Sequence, residues 1–300
     1  MVSRDEFIPL PEDVFRLLRD LISDYCGIYF DDDSKYLIQR RLSRRLKILQ
    51  LENFRDYYRF LLYDKKKEEE FSAIIDVLTV NETYFFREQN QLNAFIDEIC
   101  EELKNLKKDS RIIRIWSAGC SSGEEPYTIA MLMLERAHYF DGWNIEIIGS
   151  DINQRVLQRA RKGIYKANSF RTTDEYYIRK YFEEVQGGFK IKDEVKKLVS
   201  FNCLNLLDPS KVRLIGKVDV IFCRNVLIYF NTDAKKKLID NFYQILSEGG
   251  YLLLGHAESL ISISTAFALK HLKSDMVYQK PRKAVVSMSD ETLFKLVWGR

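Results

Sequence analysis

The residues that could do chemistry cluster in short segments that follow apolar runs. SAGCSSGEEPY (residues 117–127) comes directly after one such run and opens a helical pattern. Gly119 and Gly123 would let the backbone approach a ligand closely. Pro126 suits a first helical turn. The spacing is G-x-x-x-G, not the dinucleotide pattern G-x-G-x-x-G. Glu124 and Glu125 stand where a pyrophosphate needs a helix N-terminus free of negative charge. The segment therefore points away from a dinucleotide and towards a cationic or uncharged ligand; a sulfonium fits.

Asp151 ends the next strand-like run, IEIIGSD. An acid at that position can accept both hydroxyls of a ribose. Capping the helix through INQRVL is the competing role, and the two can coexist. Asn205 lies just past a third run, and Arg224-Asn225 end a fourth. Carboxyl ends of neighbouring strands are where open α/β sheets bind ligands. An asparagine there offers donor and acceptor to an adenine edge; an ordinary turn residue is the alternative.

The elements that must position these residues alternate. Strand patterns at 111–116, 145–151, 196–207, 218–225 and 251–259 are separated by helical patterns in PYTIAMLMLERA, INQRVLQRARKG and DAKKKLIDNFYQILSEGG, the last expected to end on its glycines. ALKHLKSDMVYQK reads as a terminal hairpin. This alternation predicts an α/β fold with a largely parallel sheet covered on both faces. A small inserted hairpin is expected around Gly187-Gly188.

Residues 8–80 read as helices only. Pro11 precedes a helix with apolar Val14, Leu17, Leu18, Leu21 and Ile22, and Gly27 stops it. The next helix carries Ile38, Leu42, Leu46 and Leu49 on one stripe. Arg40, Arg44 and Lys47 fall on the opposite side, with Arg41 and Arg45 on a flank. Between Lys35 and Lys47 there are six basic residues and no acidic one. Such a face is suited to steering an acidic helical partner; a plain solvated face is the competing reading. NETYFFR (81–87) interrupts the helical texture, and QLNAFIDEICEELKNLKK resumes it.

Composition bounds the class. The chain has 300 residues, 46% hydrophobic and 30% charged, enough for a large core in a globular protein. Net charge is only +3, which argues against the whole chain being a nucleic-acid binder. No apolar run approaches the roughly 20 residues that span a bilayer. The N-terminus carries acids where a signal peptide needs bases, so a cytoplasmic location is expected. The five cysteines form no CxxC pair and the three histidines are dispersed, so no metal site is expected.

VNETYFFRE, WSAGCSSGEEPYTIA, IIGSDIN, FNCLNLL and VIFCRNVLIYF, in this order and spacing, resemble the CheR family of chemotaxis protein-glutamate methyltransferases. The resemblance covers roughly residues 8–280. It implies a seven-stranded Rossmann-like sheet that binds S-adenosylmethionine, an N-terminal all-helical receptor-docking domain over 8–80, and a linker and helix over 81–109 that contribute to the cofactor site. The methyltransferase domain would span 110–280, with a β-subdomain at about 165–200 and a tail over 281–300. The implied reaction transfers methyl groups to glutamates on cytoplasmic chemoreceptor helices and leaves S-adenosylhomocysteine. Carried over by position, Asn81, Thr83, Arg87, Glu125, Asp151, Asn205, Leu206, Arg224 and Asn225 resemble cofactor-site residues, alongside Gly119. Arg87 and Tyr229 resemble the residues nearest the transferred methyl group and the incoming glutamate. Arg40, Arg41, Arg44, Arg45 and Lys47 resemble the receptor-docking face. In some members the β-subdomain grips a receptor C-terminal pentapeptide; the hairpin here is short.

A glutamate is ionised at neutral pH, with a reference pKa of about 4.3, so no base is needed. The task is alignment of nucleophile, methyl and sulfur. Arg87 is read as positioning substrate or cofactor, and Tyr229 as a donor to the non-attacking oxygen. Two other classes stay open. A nucleic-acid methyltransferase would need a flipped-base pocket, and its familiar Asn-Pro-Pro-aromatic stretch is missing. A non-catalytic cofactor-binding module that docks receptors is the other.

Overall fold

A computed structural model describes residues 7–79 and 81–282. The tail proposed from 281 lies almost wholly outside the described residues. The chain opens with four helices: α1 (Glu12–Cys26), α2 (Lys35–Leu49), α3 (Phe54–Tyr63) and α4 (Lys67–Leu78). Pro11 sits at the N-cap of α1, and Gly27 closes it in the left-handed region at φ 79°. Asn53 caps α3 by accepting the Asp56 N–H. Phe15, Leu18, Ile38, Leu42, Phe54, Tyr57 and Ile74 form the helical core. The expected stripe on α1 is narrower than its sequence: Leu17 is 45% exposed.

NETYFFR leaves the helices as an extended segment, and its two phenylalanines anchor it. Phe85 stacks on Phe170 at 5.1 Å and meets Phe182 edge-on. The Phe86 N–H donates to Thr128 Oγ1. The expected single helix after it is α5 (Gln89–Ala94), a π-turn at Phe95–Ile99, and α6 (Cys100–Leu106).

The remaining elements alternate as expected: β1 (Ile112–Ala118), α7 (Glu124–Glu135), β2 (Asn144–Asp151), α8 (Gln154–Lys162), β3 (Ile164–Tyr165), α9 (Glu175–Tyr181), β4 (Phe182–Val185), β5 (Gly188–Ile191), α10 (Asp193–Lys196), β6 (Val199–Cys203), α11 (Pro209–Leu214), β7 (Val218–Cys223), α12 (Thr232–Ile245), β8 (Leu246–Leu254), β9 (Ala268–His271) and β10 (Met276–Gln279). The main sheet has seven strands in the order β6-β2-β1-β7-β8-β10-β9. Strands β6, β2, β1, β7 and β8 are parallel, and β10 runs antiparallel to both its neighbours. Ile113, Ile115, Val220 and Phe222 face one apolar core; Trp116, Ile221 and Leu252 face the other. Burial on both faces is why these strands read as nearly continuous apolar runs.

The inserted hairpin is part of a three-stranded sheet, β3-β5-β4, that docks on Phe85 through Tyr165, Phe170 and Phe182. One boundary differs. The helix expected to end on Gly249-Gly250 stops at Ile245, and both glycines lie inside β8. A Cβ on Gly250 would stand 2.8 Å from the carbonyl oxygens of Asp219 and Ser247. The glycines therefore serve a strand irregularity opposite Val218–Val220, where the β7–β8 register shifts. Among the described residues, no helix is long and apolar enough to cross a membrane.

Candidate functional site

Strand order reverses at β1, whose neighbours are β2 and β7. The crevice at the carboxyl ends of such strands is where α/β sheets bind ligands. A cavity of about 410 Å³ opens there. Asn81, Thr83, Arg87, Gly119, Glu125, Asp151, Asn205, Leu206, Arg224, Asn225 and Tyr229 all line it. The segments that carry them are distant in sequence and come together at these strand ends. The expected docking residues on α2 are not part of its lining.

The glycine loop is built by backbone bonds. The N–H groups of Gly119 and Cys120 both donate to Ser150 O at 2.8 Å, turning the chain sharply out of β1. Gly119 has φ 84°, and a Cβ there would lie 2.5 Å from Val226 Cγ2. Only glycine tolerates both the dihedral and the approach. Ser121, at φ 49°, donates its N–H to Asp151 Oδ2 at 2.8 Å.

Asp151 also accepts the Asn153 N–H at 2.9 Å. It does not cap the following helix. Asn153 does, accepting the N–H groups of Arg155 and Val156, and its Nδ2 reaches Thr79 Oγ1 at 2.8 Å. That frees Asp151 for the cavity. Burial pushes its carboxyl pKa up, and the backbone donors partly offset this.

The two acids of the loop differ from the sequence expectation. Burial also raises the pKa of Glu124, which lies outside the cavity lining and is held by Ser122 Oγ at 2.8 Å and Ser169 Oγ at 3.0 Å. Glu125 lines the cavity, but Arg224 Nε meets its carboxylate at 2.7 Å and Ser117 Oγ at 2.6 Å. Arg224 also donates to Arg87 O and lies 3.5 Å from Glu88. The loop acids are thus neutralised or turned away, and their charge does not by itself select a cationic ligand.

Asn205 is committed as well. Its Nδ2 donates to Tyr25 O at 2.6 Å and its Oδ1 accepts the Leu207 N–H. It ties the end of β6 to α1 instead of presenting a free amide edge. Asn225 is different: it sits at φ 59°, and its Oδ1 is buried without a hydrogen-bond partner. Asn81 Nδ2 contacts Thr79 Oγ1 at 3.2 Å, while Leu206 and Thr83 contribute wall. Arg87 donates to Glu82 O at 3.3 Å and stands 5.5 Å from the Tyr84 ring. Among the described residues it forms no salt bridge. The Tyr229 hydroxyl has its pKa raised by burial, against the opposing pull of Arg87.

The helical unit closes the far wall with Cys26, Ile28, Tyr29, Phe30 and Leu37. The Tyr29 N–H donates to Tyr229 O at 2.9 Å, and Ile28 pairs with Phe230 as an isolated bridge. Sequence reading missed this wall, because Gly27 marked only a helix stop. It also missed Ser117 and Glu258, for which no local pattern gives a signal.

On α2, Arg40, Arg44 and Lys47 are exposed. Arg45 and Arg41 are engaged within the fold. Arg45 holds the buried Glu70 with bonds of 3.0 and 2.6 Å, and Arg41 donates to Leu78 O.

Residues 13–79 match the family model described as the CheR methyltransferase all-alpha domain, and residues 81–276 match its SAM binding domain. Chemotaxis protein methyltransferase 2 of Vibrio cholerae is 38% identical over 270 residues, covering 90% of this chain and 93% of that one. The chemotaxis protein methyltransferase of Borreliella burgdorferi is 38% identical over 254 residues, covering 83% and 88%. That of Escherichia coli is 32% identical over 275 residues, covering 90% and 92%. Both structural units around the cavity are therefore matched, and the motif resemblance is borne out: the chain belongs to the CheR methyltransferase family and uses S-adenosylmethionine as its cofactor.

Proposed function

We propose that this protein transfers methyl groups from S-adenosylmethionine to glutamate side-chain carboxylates on the cytoplasmic helices of chemoreceptors, acting in the cytoplasm. The observation that carries this reading is the cavity that gathers Asp151, Glu125, Arg87 and the Asn225–Tyr229 loop from four separate segments.

The residues fit the cofactor. The cavity volume suits a nucleoside-sized ligand. Gly119 lets backbone reach it, Asp151 offers carboxylate oxygens for ribose hydroxyls, and Asn225 Oδ1 is a buried acceptor awaiting a donor. Asn81, Thr83, Arg87, Glu125, Asn205, Leu206 and Arg224 complete the proposed binding set. When bound, S-adenosylmethionine supplies an electrophilic methyl group on a sulfonium. The remaining work belongs to the protein. The acceptor carboxylate is already ionised, so orientation is the main requirement. Arg87, free of any carboxylate partner among the described residues, is proposed to hold the incoming glutamate. Tyr229 keeps its proton, because burial raises its pKa, and is proposed to donate to the non-attacking oxygen.

The helical unit is the proposed receptor-docking domain, with Arg40, Arg44 and Lys47 as its exposed basic face. Residues 81–109 link it to the methyltransferase domain proposed over 110–280. The β3-β5-β4 sheet leaves β3 and β4 as edges, suited to strand addition by a receptor's C-terminal peptide.

The test is tritium transfer from methyl-labelled S-adenosylmethionine to receptor protein. Base-labile label on receptor glutamates is the expected result. Label on nucleic acid, or no transfer, overturns the reading.

A further inference from the structure

The loop after β7 carries several lining residues, and one residue outside the cavity lining holds it. Oε2 of Glu258 accepts the N–H groups of Asn225 and Gly255, each at 2.8 Å. Its Oε1 accepts the Ile228 N–H at 3.3 Å. Three backbone donors from the ends of two adjacent strands thus converge on one carboxylate. Such charge-assisted bonds are stronger than neutral ones.

The loop needs an external hold. Asn225 sits at φ 59°, a region that non-glycine residues occupy at a cost. Its N–H bond to Glu258 fixes that peptide, and its side-chain oxygen is left unpartnered beside the cavity. Three residues on, the Ile228 N–H bond sets the short turn that brings Tyr229 to the cavity. On the other side, the segment after α1 meets the turn through the Tyr29–Tyr229 backbone bond and the Ile28–Phe230 bridge.

We infer that Glu258 is a positioning residue for methyl transfer: by collecting the backbone N–H groups of Asn225, Ile228 and Gly255, it fixes the loop that presents Asn225 and Tyr229 to the cavity. It lies outside the cavity lining and acts through the loop. The inference rests on the proposed role of this cavity.

Glu258→Gln keeps the side-chain shape but turns an amide NH₂ towards backbone donors. Gly255→Ala is a second, independent perturbation. Its added Cβ would lie 2.9 Å from Asn225 N and 3.0 Å from both Asn225 Nδ2 and Glu258 Oε2, displacing the contact while every functional group remains. Both full-length variants are compared with wild type by calorimetric binding of S-adenosylhomocysteine, by methyl-transfer kinetics and by thermal melting.

The expected result is a Kd and a KM for the cofactor raised by about tenfold or more in both, with kcat also reduced. A purely structural role would lower the active fraction and melting temperature while leaving KM unchanged. A folded Glu258→Gln protein with Kd, KM and kcat within about twofold of wild type overturns the inference. If that variant does not fold, Gly255→Ala decides by the same criteria. If wild type binds no S-adenosylhomocysteine, the cavity reading itself falls and takes the inference with it.

Discussion

Arg224 and Glu125 meet at 2.7 Å in the cavity wall, joining the end of β7 to the first turn of α7 across 99 residues of chain. The Arg224 side chain is 3% exposed and that of Glu125 13%. Removing one partner of a buried pair leaves an uncompensated charge, at a cost of about 3–5 kcal/mol. Arg224→Ala should therefore lower the unfolding free energy by about that amount in denaturant melts. Cofactor affinity should fall as well. An unfolding free energy within about 1 kcal/mol of wild type would show that the pair is well solvated.

Gly119→Ala tests the close approach of backbone to the cavity. The left-handed dihedral and the 2.5 Å contact with Val226 should cost about 1–3 kcal/mol of stability. Calorimetry on the folded variant should show weakened binding of S-adenosylhomocysteine. Wild-type binding would mean that the loop backbone does not approach the ligand.

The basic residues of α2 should separate into two kinds. Arg40→Glu with Arg44→Glu should slow receptor methylation at low salt, with cofactor affinity and melting temperature unchanged, because both side chains are exposed. Arg45→Ala should instead destabilise the protein by about 3–5 kcal/mol, since Glu70 is left buried and charged. Equal effects on receptor kinetics and none on stability would contradict this division.

Glu124 gives a pH-dependent prediction. Burial raises its folded-state pKa above the unfolded value, so the native state binds this proton more tightly. Its contribution favours folding below the unfolded pKa and is lost as pH rises through the folded one. Glu124→Gln carries no charge; its amide oxygen accepts from one of Ser122 and Ser169, which bond different carboxylate oxygens, and its NH₂ donates to the other hydroxyl. The variant should melt higher than wild type at pH 8, and the difference should shrink towards pH 4. A gap that widens in acid would reverse the sign.

Much of the scaffold was legible because its signals are local. The parallel strands read as apolar runs, since both faces are buried. Pro11 and Gly27 mark the ends of α1 through their own backbone preferences. Capping of α8 by Asp151 was only a competing role, and the fold gives the cap to Asn153, two positions on, whose side chain turns back on the helix. Gly249-Gly250 looked like a helix stop because glycine punctuates helices and strand bulges alike.

The sequence by itself determined the family, the glycine loop and the strand ends that would face a ligand, because those follow from residue type and order. It could not determine which charged and polar groups remain free there. Glu125 is answered by Arg224 across 99 residues, Glu124 by Ser169 across 45, and Asn205 by the Tyr25 carbonyl across 180. Hydrogen bonds and ion pairs act over only a few ångströms, so the electrostatics of the site depend on which distant segments the fold brings into contact.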